Sequence, residues 1–254
     1  MEVTELVDAL DEQGGLLAKA ASGADLDLAV PTCPDWNMRD LLRHIGDVHR
    51  WARTYVAQAR SDPLSDEDEK ALFETVPTDE RIVEWFGDGH RLLCETLRQA
   101  PDDLECWSFL PAPSPLAFWA RRQAHETAIH RADAEQVSGA LSPYDPLLAA
   151  DGVDELLMCF AVRGRKLLSD PPRTMSVGTT DTGDSWLVTL GTEKVTTDRT
   201  TVGSSVPEAD CVVRGTASDL YLTLWNRLHP KLLQTDGDAT VLDDFCDRFH
   251  IRWS

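Results

Sequence analysis

The stretch SPLAFWARRQAHETAIHRADAEQV, residues 114–137, decides how the chain is read. It follows APDDLECWSFLPAPSP, a segment too rich in proline for a helix interior, and reads as one long helix from about Ser114 to Val137. Glu126 and His130 are four apart, so their side chains lie about 40° apart on one face. Such a pair can offer one carboxylate oxygen and one imidazole nitrogen to a single cation. Asp133, one turn beyond His130, can orient its other ring nitrogen. Ala120, Ala124, Ala128 and Ala132 lie on nearly the opposite side. Two readings follow: the polar face lines an interior site, or it is solvated and the alanine seam is buried.

Working outward, other helical recurrences surround this one. Leu6, Val7, Leu10, Leu16, Leu17 and Ala20 predict a helix from Val3 to about Ala21, weakened in its middle by Gly14 and Gly15. Asn37 is an N-cap, with Asp40 three residues on as its capping-box partner. The helix it starts buries Leu41, Leu42, Ile45, Val48, Ala52 and Val56. An acidic loop, SDPLSDEDEK, precedes a third long helix, capped by Thr78 and carrying Ile82, Val83, Trp85, Phe86, Leu92, Leu93 and Leu97. Four long helices with an extended crossover between the second and third predict a four-helix bundle. A fifth helical stretch runs near Asp145 to Leu168.

The text changes at Arg173. TMSVGTTDTGDSWLVTLGTEKVTTDRT is rich in Thr and Val with Gly turns and predicts three short antiparallel strands. ADCVVRG reads as a fourth strand, and Ala217 to Arg227 and Ala239 to Phe245 as helices. The expected fold class is therefore α plus α+β. The helical bundle spans residues 1–150, and a small α+β domain with an antiparallel sheet spans 151–254.

The chain has 254 residues and a net charge of −20, from 44 acidic and 24 basic side chains. That field repels phosphate backbones and anionic lipid, so neither nucleic acid nor a membrane surface is an expected partner. The first residues, MEVTELVDALDEQGG, are acidic and amphipathic, unlike a secretory signal. Six scattered cysteines form no CxxC pair and read as reduced thiols. A cytoplasmic protein is the expectation.

His44 lies on the apolar stripe of its helix and points toward the bundle interior. It is either a buried neutral histidine with one hydrogen-bond partner or a ligand. His125 and Glu126 suggest the zincin motif HExxH. The next histidine is at 130, however, about 140° around the helix from His125, which disfavours a metalloprotease. His44 with Glu126 and His130 gives two imidazoles and one carboxylate, the ligand pattern of a catalytic zinc whose fourth position is open to water or a thiol. Trp36, Trp51 and Trp119 read as packing residues, and Cys33 as an idle thiol.

Three segments resemble the mycothiol-dependent maleylpyruvate isomerase family. They are VPTCPDWNMRDLLRHIGDVHRW, RRQAHETAIHRADAE and VVRGTASDLYLTLWNRL, in that order along the chain. The resemblance implies a DinB-like four-helix bundle and a sterol-carrier-protein-like α+β domain. It also implies a divalent metal, usually zinc, held at His44, Glu126 and His130, and mycothiol as thiol co-substrate. An Arg-rich, Lys-poor composition, 19 against 5, is compatible with the actinobacterial origin that mycothiol implies. The reaction expected is addition of the thiol to a small, anionic electrophile, as an isomerase or an S-transferase. A non-catalytic metal-binding or regulatory module on the same bundle is the alternative. Arg227, in LWNR, is the candidate carboxylate clamp and catalytic cation, or else a helix-end cation complementing the dipole. Arg131 is a second candidate for cofactor binding. Asp133 is the only candidate acid–base group in the motif.

Overall fold

Local chemistry starts the helices. Asn37 is extended (φ −101°, ψ 178°), and its side chain accepts the Asp40 backbone N–H at 2.9 Å. The Asp40 carboxylate in turn accepts the Asn37 N–H at 3.1 Å. This capping box starts helix α2 (Met38–Gln58) where the sequence expects it. Ser114 caps α5 (Pro115–Val137) through the Ala117 N–H, with proline at its first position. The other long helices are α1 (Val3–Ser22) and α4 (Arg81–Gln99), with the short α3 (Asp66–Phe73) in the crossover. A two-stranded ribbon, β1 (Ala29–Val30) and β2 (Cys33–Asn37), joins α1 to α2. These elements belong to a computed structural model, which describes residues 1–73, 76–77, 80–200 and 206–251. The Thr78 cap expected for α4 lies outside the described residues.

Two compact units are present, Met1–Ser142 and Pro143–Ser254. In the first, α1 packs on α5 and α4, and α2 on α4 and α5. Leu17, Met38, Leu41, Leu42, Ile45 and Phe86 fill a core sealed below 2% exposure. Each such side chain contributes about 1.5–3 kcal/mol by leaving water. Helix α5 is covered on all sides. Ala120, Ala124, Ala128 and Ala132 are fully buried, and so, within a few per cent, are Glu126, His130 and Asp133. Of the two readings of this helix, the polar face is interior and the alanine seam is buried as well. A helix carrying this many charges can be sealed only when they are paired with one another.

The second unit begins eight residues before the expected division at 150, and its helix α6 (Pro146–Glu155) packs on α7 (Ala217–Leu224). Gly152 makes that approach possible, because a Cβ there would stand 2.3 Å from the Tyr221 ring. Strands β3 (Arg173–Thr179), β4 (Ser185–Leu190) and β5 (Val195–Arg199) form the expected antiparallel meander. Strand β6 (Cys211–Gly215) pairs with β3 in parallel and with β7 (Gln234–Gly237) antiparallel, giving the order β5-β4-β3-β6-β7. The sheet is therefore mixed: its pairings are antiparallel, as expected, except between β3 and β6. Helix α8 (Thr240–Arg248) covers β3 and β6. Among the described residues, no helix is long and apolar enough to cross a membrane.

Candidate metal centre

Helices α2 and α5 pack so that His44 meets the Glu126–His130 pair. One donor atom from each of the three lies within 4.8 Å of the other two. Glu126 Oε1 stands 3.4 Å from His44 Nε2 and 3.3 Å from His130 Nε2. Two ligands of one tetrahedral ion with bonds of about 2.0–2.2 Å are separated by roughly 3.3–3.5 Å. Both Glu126–imidazole distances therefore match the spacing of ligands on a shared cation, and the two imidazole nitrogens lie within 4.8 Å of each other. The imidazole rings are edge to face at 5.0 Å between centroids, so neither blocks the other. The His44 side chain keeps 17% exposure against 5% for Glu126 and 7% for His130, so solvent reaches the cluster on the His44 side.

The surroundings hold these donors in place. Asp133 Oδ2 lies 2.8 Å from His130 Nδ1, which turns Nε2 of that ring toward Glu126. Asp133 is itself held by the Thr32 hydroxyl, which donates to Oδ1 at 2.5 Å, and by the Cys33 thiol, 3.7 Å from Oδ2. Arg122 donates to Glu126 Oε2 at 3.0 Å, with both side chains buried. Trp36 leans on both rings, at 4.8 Å from His44 and 6.0 Å from His130.

Electrostatics follow from this packing. Burial pushes the Glu126 carboxyl up, but hydrogen bonds with His130 and His44 and the Arg122 charge outweigh it and hold it well below the usual carboxylate range. Burial also opposes charge on His130, yet Asp133 and Glu126 overcome that and raise it to about 9. Burial wins at His44, whose pKa is lowered despite its hydrogen bond with Glu126. The cluster is thus an anionic carboxylate between a neutral imidazole at His44 and a protonated one at His130, which gives up its proton to solvent on joining a donor set suited to a divalent ion such as zinc.

The structure also places the other residues singled out from the sequence. Arg131 is 1% exposed, and its guanidinium is spent on Glu135 at 3.0 and 3.1 Å and on the Ser142 carbonyl at 3.1 Å. These contacts tie the end of α5 to the chain that follows. Asp133 is fully buried, with Oδ1 held by Thr32 and Oδ2 by His130, the contacts of a group that orients His130. Trp36 and Cys33, expected as a packing residue and an idle thiol, both border the cluster. Arg227 lies in the second unit, beside Trp225, Asn226, Phe249 and His250 in a small cleft. Asn226 takes the left-handed conformation (φ 64°) that ends α7, and Arg227 Nη1 donates to the Trp225 carbonyl at 2.7 Å. Arg227 thus bonds a carbonyl at the C-terminal end of α7. His125 is fully buried and outside the three-donor group, as the HExxxH spacing requires. Arg122 escaped the sequence reading, although its place one turn before Glu126 was available as a signal.

Fold and cluster together define a class: a four-helix bundle carrying two imidazoles and a carboxylate at metal-ligand spacing, followed by a small α+β unit. A family model described as the mycothiol maleylpyruvate isomerase N-terminal domain matches residues 7–135, and one described as the MDMPI C-terminal domain matches residues 148–244. The chain belongs to the mycothiol maleylpyruvate isomerase family. Among solved structures it is similar to a mycothiol-dependent maleylpyruvate isomerase, with a TM-score of 0.61 and 11% identity over 90% of each chain. A histidine-to-alanine mutant of a mycothiol-dependent maleylpyruvate isomerase gives a TM-score of 0.63 and 11% identity over 93% of each chain. At that identity the likeness is one of fold. No curated protein matches the chain.

Proposed function

We propose that this protein is a metal-dependent enzyme that adds mycothiol to a small anionic electrophile. The favoured reaction is cis–trans isomerisation of a maleylpyruvate-type enedioate. His44, Glu126 and His130 would hold the cation. When bound, the ion would stabilise a thiolate near neutral pH. Asp133 fixes the His130 tautomer, Arg122 keeps Glu126 anionic, and Trp36 packs on both rings. In the reaction the sulfur adds to the activated double bond, the resulting single bond rotates, and expulsion of the thiol restores the double bond in trans geometry. Nothing is consumed. Release of the adduct instead would make the enzyme an S-transferase.

The observation that carries this reading is the convergence of three donors on one point, with solvent access beside His44. Family membership supports the thiol and the substrate class. The test is incubation of zinc-loaded protein with mycothiol and a panel of cis-enedioates, followed by mass. Isomer of unchanged mass identifies the isomerase, and a stable adduct the transferase. Neither product with any electrophile, from protein that retains its metal, contradicts the proposal in favour of a non-catalytic binding module.

A further inference from the structure

The bundle contains a second convergence of donor atoms, built from different residues. Asp11 of α1 and His90 and Cys94 of α4 bring a carboxylate oxygen, an imidazole nitrogen and a thiol sulfur within 4.8 Å of one another. His90 Nε2 is 3.6 Å from Asp11 Oδ1 and 3.8 Å from Cys94 Sγ. His90 and Cys94 share a face of α4 by their four-residue spacing.

The slot for the His90 ring is made by Gly14, where a Cβ would fall 2.2 Å from the imidazole Cε1. The glycine that weakens the middle of α1 thus lets the ring sit between the helices. Burial lowers the His90 pKa, leaving a neutral imidazole at physiological pH. Behind it lies His49, 5.3 Å away between ring centroids and fully buried, whose Nδ1 has no hydrogen-bond partner among the described residues. Asp11 is half exposed, which gives an ion a way in from solvent. Arg98 holds Asp11 by Oδ2 at 2.9 Å, while Oδ1 is the oxygen set toward His90.

We propose that Asp11, His90 and Cys94 form a second cation site, taking a thiophilic divalent ion of the zinc, cadmium or cobalt type. Carboxylate, imidazole and sulfur together suit such ions better than magnesium or calcium, which prefer oxygen alone. Bonds of about 2.3 Å to sulfur and 2.0–2.1 Å to nitrogen put those ligands roughly 3.5 Å apart. Sγ lies 3.8 and 3.9 Å from the two ring nitrogens, so the Cys94 side chain must rotate toward Nε2 for the two to share an ion. On binding, the S–H bond breaks, its proton passes to solvent, and a sulfur–metal bond forms. The ion ties α1 to α4.

Cobalt(II) titration of the full-length, metal-free protein, without added thiol, tests this. A thiolate-to-cobalt charge-transfer band is expected in the wild type. It should persist in His44→Ala, which disables the first cluster, and in Cys33→Ser, which removes the thiol beside it. It should vanish in Cys94→Ser. Asp11→Asn, at a half-exposed position that keeps the fold, should move the titration midpoint to higher cobalt. Absence of the band in the wild type, or its survival in Cys94→Ser, overturns the proposal. An unmoved midpoint in Asp11→Asn does the same if Cys94→Ser does not fold.

Discussion

His130 Nδ1 and Asp133 Oδ2 stand 2.8 Å apart inside the bundle, and that contact sets which nitrogen of His130 is offered to Glu126. Replacing the carboxylate by an amide keeps the shape and removes the charge. Asp133→Asn should weaken zinc binding about 10–100-fold, the usual cost of losing such an orienting partner, with the fold retained. Competition against a chromophoric chelator measures this. Unchanged affinity would mean that the ring is held by packing alone.

Arg122 and Glu126 form a sealed ion pair at 3.0 Å. Removing one partner of a buried pair strands the other charge and costs about 3–5 kcal/mol. Arg122→Met should therefore lower the melting temperature of the metal-free protein sharply. A cation bound at Glu126 would restore part of the lost compensation. The melting temperature of the variant should then rise more on adding zinc than that of the wild type, and equal shifts would contradict the arrangement.

Much of this convergence was legible in the sequence, because the three donor residues obey helix arithmetic. Glu126 and His130 share a face by spacing, and His44 lies on the apolar stripe of a helix whose start is marked by Asn37 and Asp40. Trp36, Thr32 and Cys33 were not legible as neighbours of the cluster. They come from an extended segment, and nothing periodic says where such a segment folds back. Burial of α5 on all sides was also hidden, since opposed alanine and charged faces read as an ordinary amphipathic helix. In the second unit, the text of β6 marks a strand but not its direction, so the parallel pairing with β3 could not be read. Strand β7 is mostly exposed and carries no apolar alternation, and so it was missed.

Gly46 on α2 faces the Trp85 ring, where a Cβ would stand 2.1 Å from the nearest ring carbon. Arg50 clips that ring in place, with its guanidinium 3.6 Å above the ring centre and Nη2 donating to the Trp85 carbonyl at 2.7 Å. Alanine would improve helix propensity by about 1 kcal/mol, but overpacking costs about 1–3 kcal/mol. Gly46→Ala should be destabilising in urea denaturation. A gain in stability would show that the ring has room to move.

Asp47 sits half-buried on the same helix, and burial raises its carboxyl from 3.8 to about 7 against the opposing pull of Arg50 and Arg43. A raised carboxyl binds its proton more tightly in the folded state. The stability this confers is full below pH 3.8 and is lost as pH rises toward 7. Above 7 the native state carries a buried anion. Asp47→Asn should therefore melt higher than the wild type at pH 8, with the difference shrinking between pH 7 and pH 4. Thermal melts across that range check the sign, and a constant difference would contradict it.

The central claim is that His44, Glu126 and His130 hold one cation with a position left for sulfur. Its most direct test is the cobalt(II) form of the Cys33→Ser, Cys94→Ser double variant, which lacks the thiol beside the first cluster and that of the second, titrated with mycothiol. A thiolate-to-cobalt band should grow with added thiol and be absent when His130→Ala is added to the same protein. A cobalt-loaded protein whose spectrum ignores the thiol, or a band that survives loss of His130, would contradict the account.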